Sequence, residues 1–283
     1  MTTGLMLNEV VLGEREFRQI GDLVYEHCGI NLHDGKKELV RARLAKRLRE
    51  GNFQTFSEYI RHVLKDPTGG EFAILVDSLS TNLTKFFREE QHFEYMCSRW
   101  LPGLLESKQS RHDFRIRGWS AGCSSGEEPY SIAITLLEAV QGRGRWDVKV
   151  LATDVSTRML ERAQEGLYGK DRVEPIPLPL RSRYLTRTRE AGEDVYEVGP
   201  NLRSVVILRY LNLVQDWPVK RPIDFIFCRN VMIYFDKPTQ NRLINRFYDL
   251  LASGGVLFTG HSESLTGIEH KFKYVQPTIY RKP

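Results

Sequence analysis

After Phe114 the sequence alternates between short apolar runs and amphipathic helical segments, and this alternation limits the possible folds more than any other feature. The apolar runs are FRIRGW (114–119), VKVLATD (148–154), IDFIFCRN (223–230) and GVLFTGH (255–261). Helical spacing marks the segments between them, at 129–140, 156–165 and 238–251. Short strands that alternate with helices predict a parallel sheet with helices packed on its faces. The sequence therefore predicts an α/β fold.

Before Phe114 the pattern is helical only. Apolar residues recur at helical spacing from Glu14 to Ile60 and again at 72–79, and the turn signals HDG, EGN and DPTGG separate the segments. We therefore predict an all-helical N-terminal domain, residues 1–78, followed by a second domain, residues 79–283.

One segment interrupts the α/β rhythm. Residues 183–213 contain three strand-like runs separated by turn residues, with no helical pattern between them. We interpret this segment, about 183–211, as a small antiparallel β insertion in the second domain.

Composition places the chain among globular proteins. It has 283 residues, of which 41% are hydrophobic and 27% charged, and its net charge is +5. The four cysteines form no C-x-x-C pair, which favours reduced thiols over a zinc ribbon or a disulfide framework. No apolar run reaches the roughly 18 residues of a membrane span. We expect a cytoplasmic protein with no membrane insertion.

The stretch RGWSAGCSSGEEPYS (117–131) looks like a nucleotide-binding loop but lacks the chemistry of one. Loops that bind phosphate use free backbone amides, often with a lysine. This loop has no lysine and carries Glu127 and Glu128, which would repel a phosphate. It therefore predicts a ligand that suits a glycine loop and tolerates nearby carboxylates.

Polar residues follow the predicted strands, where ligands of open α/β sheets bind. Asp154 ends the second strand and could accept both hydroxyls of a ribose. Asn212, Arg229 and Asn230 follow later strands. A nucleoside without phosphates explains the acidic loop, and S-adenosylmethionine is such a molecule. Glu128 is our candidate ligand contact, while Glu127 is expected to be structural or solvated.

Several motifs together resemble one family. TNLTKFFRE (81–89), GCSSGEEPYSIAI, ATDVSTRMLERAQEGLY and FIFCRNVMIYFD, followed by GGVLFTGHSES, are similar to the chemotaxis receptor methyltransferases of the CheR family. The resemblance covers nearly the whole chain. It implies a Rossmann-like methyltransferase domain that transfers a methyl group from S-adenosylmethionine to glutamates of methyl-accepting chemotaxis receptors, leaving S-adenosylhomocysteine.

The resemblance also implies site residues. The family's cofactor contacts fall on Asn82, Thr84, Arg88, Glu128, Asp154, Asn212, Leu213, Arg229 and Asn230. Tyr234 matches a tyrosine beside the transferred methyl group, and we predict that it is catalytic together with Arg88. Arg88 could orient the substrate carboxylate or hold the cofactor's own carboxylate, and the sequence leaves both roles open. A glutamate is already ionised at neutral pH, so the chemistry needs no general base.

Two elements are candidate partner surfaces. Residues 36–49 contain seven lysines or arginines and one acid, and Lys36, Arg43, Lys46, Arg47 and Arg49 are expected to lie outside the apolar stripe of a helix. Such a run is often only a solvated face; in this family it would recruit an acidic receptor bundle. The β insertion resembles the family's docking element, although RTREAGED departs from the glycine-rich turn of members that bind a receptor tail.

The sequence disfavours three other interpretations. A nucleic-acid methyltransferase would use an Asn-Pro-Pro-Tyr type motif where this chain has CRNVMIY, so we expect no nucleic-acid partner. A catalytically silent cofactor-binding adaptor would be favoured by a damaged motif, and none is visible. His261 and Glu263 alone do not make a metal site, so no metal is predicted. We expect a monomer.

Overall fold

The structure, a computed structural model, describes residues 10–80, 82–190, 192–219 and 222–283. The chain divides into two units, Met1–Thr81 and Asn82–Pro283. The predicted domain boundary between residues 78 and 79 stays a prediction. Residues 1–9 of the predicted N-terminal domain and residue 191 of the predicted insertion lie outside the described ranges.

The first unit is helical, as its sequence pattern predicts. Its helices are α1 (Glu14–Cys28), α2 (Lys37–Glu50), α3 (Phe56–Lys65) and α4 (Gly70–Leu79). On α2 the predicted apolar stripe, Val40, Leu44 and Leu48, is buried. Thr55 caps the N-terminus of α3: its hydroxyl accepts a hydrogen bond from the Glu58 amide at 3.1 Å. Local caps and one buried face per helix therefore explain this unit.

Contacts within the first unit change the interpretation of the basic run on α2. Arg43 donates to the Leu79 carbonyl, and Arg47 donates to the Glu71 carboxylate, with one of its contacts at 3.2 Å. The expectation that these two arginines form an outward-facing basic arc is therefore wrong. Lys46 and Arg49 are exposed as expected. A helical wheel could not show this, because both partners lie in α4, more than twenty residues away.

The second unit contains the α/β architecture. Its helices are α5 (Glu90–Tyr95), α6 (Leu101–Ser110), α7 (Glu127–Val140), α8 (Thr157–Glu165), α9 (Lys170–Val173), α10 (Leu178–Tyr184), α11 (Pro200–Val205) and α12 (Lys237–Leu250). Its strands are β1 (Arg115–Ala121), β2 (Asp147–Asp154), β3 (Leu167–Gly169), β4 (Leu185–Glu190), β5 (Glu193–Val198), β6 (Val206–Tyr210), β7 (Ile223–Cys228), β8 (Leu251–Thr259), β9 (Lys273–Gln276) and β10 (Ile279–Arg281).

Seven of the described strands form one sheet in the order β6-β2-β1-β7-β8-β10-β9. The first five are parallel, while β10 and β9 continue the sheet in antiparallel pairing. The chain runs outward from β1 to β2 and β6, and then returns to add β7 and β8 on the other side of β1. This reversal creates a switch point between β1 and β7, and the carboxyl ends of five strands share one edge.

Burial on both faces explains the continuous apolar runs. Every residue of β7 is buried; Phe225 and Phe227 pack into one core, and Ile226 and Cys228 pack into the other. Helix α7 covers the first face, and α12 contributes Phe247 to the second core. A strand buried on both faces has no polar alternation, as parallel sheets require. The predicted α/β fold is confirmed.

A small antiparallel sheet, in the order β3-β5-β4, accompanies the main sheet, as predicted. Its predicted extent is wrong at the C-terminal end. Residues 206–210 form β6, which pairs with β2 in the main sheet, and helix α11 intervenes. The third strand of the small sheet is instead β3, which precedes the predicted segment. Pro200 begins α11 after an extended Gly199, and the short helix returns the chain to the main sheet.

No helix within the described ranges combines the length and the apolar character needed to cross a membrane.

Candidate functional site

The switch-point edge brings together most of the predicted site residues. Asp154 ends β2, and Asn212 and Leu213 follow β6. Arg229 and Asn230 follow β7 directly. Glu128 lies in the first turn of α7, Tyr234 ends a 3-10 turn after β7, and Asn82, Thr84 and Arg88 belong to the segment before α5. The parallel topology, which the sequence predicts, explains why distant strand ends converge.

The loop between β1 and α7 has few amides free for a ligand. The amides of Gly122 and Cys123 both donate to the Thr153 carbonyl, at 2.8 and 2.9 Å. The amide of Gly126 donates to the Cys123 carbonyl at 3.1 Å, and that of Ser124 donates to Asp154 at 2.8 Å. Because these amides are used within the protein, the loop is not built to bind phosphate.

Packing explains why the loop needs glycine at position 122. Gly122 has a φ of +87°, which side-chain-bearing residues rarely adopt, and a Cβ there would lie 2.3 Å from a methyl carbon of Val231. The glycine therefore allows the loop to approach the segment after β7. The glycine pattern reflects close packing of two strand-end segments rather than contact with an anion.

The carboxylate of Asp154 is fixed at the end of β2. Oδ2 accepts from the Ser124 amide at 2.8 Å, and Oδ1 accepts from the Ser156 amide at 2.9 Å. The Asp154 carbonyl accepts from the Leu211 amide at 3.1 Å, which ties β2 to the segment that contains Asn212. Each carboxylate oxygen has a second lone pair. The arrangement suits a ligand that offers two adjacent hydroxyls.

Glu128 and Arg229, predicted separately as ligand contacts, form one buried ion pair. Each residue is 6% exposed. Glu128 Oε2 accepts from Arg229 Nε at 2.7 Å, and Glu128 Oε1 accepts from the Ser120 hydroxyl at 2.7 Å. Arg229 also donates to the Arg88 carbonyl. The two residues lie 101 positions apart, so no sequence spacing could reveal the pair.

Glu127 is buried completely and is not solvated. The hydroxyl of Ser125 donates to it at 2.7 Å, and the guanidinium of Arg172 lies 3.1 Å from its other oxygen. Of the two expectations for this residue, the structural one is correct. Arg172 makes the difference, because its charge can compensate a carboxylate in the first turn of α7.

The segment before α5 contacts the glycine loop and the short helix α9. The Ser124 hydroxyl donates to the Asn82 carbonyl at 3.2 Å, and Arg172 donates to the Thr84 carbonyl at 3.1 Å. Arg88 donates to the Leu83 carbonyl at 2.8 Å. The contact between Ser124 and the Asn82 carbonyl, together with the hydrogen bond from Arg229 to the Arg88 carbonyl, holds this segment beside the strand-end edge.

Sequence reasoning missed two residues of the charged cluster around Arg229. The guanidinium lies 3.6 Å from Glu89 and 3.3 Å from Nδ1 of His92. His92 is fully buried, and burial, together with the nearby Arg229 and His261, lowers its pKa to about 3. Glu89, His92 and His261 have metal-ligand spacing, but Arg229 already supplies a positive charge there. Glu89 adjoins the recognised Arg88 motif, which is the one signal that could have found it.

The side chains at this edge fit a nucleoside that carries an ammonium group. Asp154 and Glu128 offer anionic acceptors, and Oδ1 of Asn230 is buried without a hydrogen-bond partner among the described residues. The loop amides leave no cradle for a phosphate. An adenosine with an amino-acid tail, such as S-adenosylmethionine, matches this set of acceptors.

Comparisons with known proteins agree with this chemistry. A family model described as "CheR methyltransferase, all-alpha domain" matches residues 15–80, and one described as "CheR methyltransferase, SAM binding domain" matches residues 82–281. The chemotaxis protein methyltransferase of Borreliella burgdorferi is 40% identical over 269 residues, which cover 94% of each chain. The chemotaxis protein methyltransferase 2 of Pseudomonas aeruginosa is 41% identical and covers 94% of this chain and 92% of its own. The chemotaxis protein methyltransferase of Escherichia coli is 38% identical, and the match covers 97% of this chain and 93% of that protein.

The fold and the site define an S-adenosylmethionine-dependent methyltransferase. The chain belongs to the CheR methyltransferase family, and its cofactor is S-adenosylmethionine. The family resemblance seen in the sequence motifs is thereby confirmed.

Proposed function

We propose that this protein transfers the methyl group of S-adenosylmethionine to glutamate side chains of methyl-accepting chemotaxis receptors, which yields glutamyl methyl esters. The family membership supports the class of reaction. The observation that carries the proposal is the strand-end edge, where fixed carboxylates and an amide-depleted loop favour a cationic nucleoside over a nucleotide.

We assign the cofactor contacts as follows. Asp154 accepts the ribose hydroxyls, and Glu128 accepts the ammonium group through lone pairs not used by Ser120 and Arg229. Arg229 contributes by neutralising Glu128 and by holding the Arg88 carbonyl. The other contacts fall on Asn82, Thr84, Asn212, Leu213 and Asn230.

The reaction requires alignment more than proton transfer. S-adenosylmethionine supplies an electrophilic methyl group when bound. The substrate glutamate, with an ordinary pKa of about 4.3, is already ionised at neutral pH, so no general base is needed. Arg88 orients a carboxylate of the substrate or the cofactor with its guanidinium, and Tyr234 borders the methyl path. Together they hold the carboxylate oxygen in line with the methyl carbon.

The partners follow from the same proposal. The substrates are cytoplasmic domains of chemotaxis receptors, and the enzyme acts as a cytoplasmic monomer. A receptor bundle rich in glutamates is acidic, and the exposed Lys46 and Arg49 of α2 are the cations best placed to attract it. The small sheet β3-β5-β4 is a second docking element, through the exposed edge of β4.

The decisive experiment follows the chemical nature of the methylated product. The protein is incubated with methyl-labelled S-adenosylmethionine and purified receptor cytoplasmic fragments, and the labelled fragments are treated with mild base. Release of labelled methanol is expected, because esters hydrolyse under conditions that leave methylated amines and bases intact. Base-stable label on the fragment, or label on added DNA or RNA alone, would contradict the proposal.

A further inference from the structure

One buried carboxylate, that of Glu263, links the ends of β7 and β8. The residue is 5% exposed and lies four positions after β8. Its Oε2 accepts from the amides of Asn230 and Gly260, both at 2.7 Å, and its Oε1 accepts from the Ile233 amide at 3.2 Å. A single side chain therefore joins the segment that contains Asn230 and Tyr234 to the loop after β8.

The charge of this carboxylate is met by backbone amides. Within the described ranges, no lysine, arginine or histidine lies within ion-pair distance of Glu263. Burial raises the pKa of Glu263, while hydrogen bonds from the amides of Asn230, Gly260, Ile233 and Met232 act in the opposite direction. A buried carboxylate without a cation is unfavourable unless its hydrogen bonds are complete. The amide set is thus the partner that makes Glu263 tolerable in this position.

The amides that bind Glu263 belong to a backbone conformation that the chain would not favour alone. Asn230 has a φ of +60°, in the left-handed region that non-glycine residues seldom adopt. The 3-10 turn Met232–Tyr234 begins two residues later. Gly260 permits the close approach, since a Cβ there would lie 2.8 Å from the Asn230 amide nitrogen and 2.7 Å from Glu263 Oε2.

We propose that Glu263 is a positioning residue for methyl transfer. It fixes the segment from Asn230 to Tyr234 and thereby places a cofactor contact and the tyrosine of the methyl path, without itself touching cofactor or substrate. This inference rests on the proposed roles of Asn230 and Tyr234. Both carboxylate oxygens of Glu263 accept hydrogen bonds from backbone amides. Glutamine has nearly the same shape but only one acceptor oxygen, so it cannot replace Glu263 in this role.

The test compares Glu263→Gln with Glu269→Gln, which makes the same chemical change on an exposed glutamate nearby. Glutamine offers one acceptor oxygen, and its NH₂ group cannot accept from the Ile233 amide. For Glu263→Gln we expect S-adenosylhomocysteine binding, measured by calorimetry, to weaken about tenfold and kcat to fall by about tenfold or more. The KM for the receptor fragment should not change. Wild-type values in both variants would overturn the inference.

Double variants separate positioning from general destabilisation. If Glu263 acts through this segment, Glu263→Gln combined with Asn230→Ala should lose little more cofactor affinity than Asn230→Ala alone, because neighbouring effects on one element are not additive. If the double variant instead loses cofactor affinity by the product of the two single losses, the two residues act independently, which would contradict the inference. If Asn230→Ala and Tyr234→Phe both behave like wild type, the proposed site roles fail instead, whatever the result for Glu263.

A second variant keeps the inference testable if Glu263→Gln does not fold. Gly260→Ala keeps Glu263 but adds a methyl group that clashes with the Glu263 carboxylate and with the Asn230 amide, so it should show the same loss of cofactor affinity and kcat. Gly103→Ala is the matched control, because nothing lies within 4 Å of a Cβ at that position. Wild-type kinetics in Gly260→Ala would overturn the inference.

Discussion

Helix α2 and the strand-end edge of the second unit are both rich in charge, but their charges are satisfied differently. On α2, Lys46 and Arg49 face solvent, and Arg47 pairs with a partly buried Glu71. At the strand ends, Glu128 and Arg229 are both almost fully buried and pair with each other.

The comparison shows that a charge run in a sequence does not reveal what each charge does. Exposed ion pairs contribute about 0–1 kcal/mol, whereas removing one partner of a buried pair destabilises by about 3–5 kcal/mol. The cations of α2 should therefore influence partner recruitment more than stability, and the strand-end pair should influence both stability and the site. Five variants test this contrast.

The largest effect is expected for Arg229→Met. The change leaves Glu128 buried without a cation, so the free energy of unfolding should fall by about 3–5 kcal/mol. All four tryptophans lie in the second unit, so fluorescence during urea unfolding reports on it selectively. Arg158→Met, on the exposed face of α8, is the control. Adding Glu128→Gln to Arg229→Met should restore part of the lost stability; no restoration would show that the ion pair is not the cause.

Asp154→Ala should weaken the free energy of cofactor binding by about 1.5–3 kcal/mol, the range for hydrogen bonds to a charged group. Calorimetry with S-adenosylhomocysteine measures this loss. Asp171→Ala, at an exposed acid on the short helix α9, should bind normally. An unchanged affinity in Asp154→Ala would remove that residue from the ribose site.

The buried His92 should make the second unit less stable in acid. Burial first, then Arg229 and His261, lower its pKa to about 3, so the unfolded chain takes up a proton between about pH 6.5 and 3 that the folded chain does not. Acidification therefore lowers the free energy of unfolding, by on the order of 2 kcal/mol at pH 5. Tryptophan-monitored unfolding should show a flatter acid dependence in His92→Asn and an unchanged one in His112→Asn, an exposed histidine. Identical slopes in all three proteins would refute this origin.

Arg47→Gln should destabilise the first unit by about 1 kcal/mol, because it removes a partner of the partly buried Glu71. This unit has no tryptophan, so hydrogen exchange of the α2 and α4 amides is the suitable measurement. Faster exchange should be confined to the first unit. If hydrogen-exchange protection of these amides equals that of the wild type, the contact between Arg47 and Glu71 does not stabilise the unit.

The smallest effect on stability is expected for Lys46→Glu combined with Arg49→Glu. These exposed changes should alter the free energy of unfolding by less than about 0.5 kcal/mol. The KM for receptor fragments should rise and become less sensitive to salt, while cofactor affinity stays the same. If methylation rates at low salt are unaffected, this face of α2 is only solvated.

Much of this protein follows from local sequence. The run of β7, apolar except for Asp224, predicts burial on both faces, and the alternation of strands and helices leads to a parallel sheet whose ends converge. The motif around Arg88 was assigned to the site only through its resemblance to the CheR family. Asp154, by contrast, could be assigned to this edge without a structure. These features were predictable because their physical cause lies within a few residues of each position.

Tertiary structure decided which of these residues hold one another. It paired Glu128 with Arg229, engaged Arg47 with Glu71, joined β6 to β2, and surrounded Glu263 with backbone amides. In each case the partner is distant in the chain or is a backbone group that has no sequence signature. The contribution of a charged side chain to stability and binding depends on its burial and its partner, and both are set only when the strands and helices pack together.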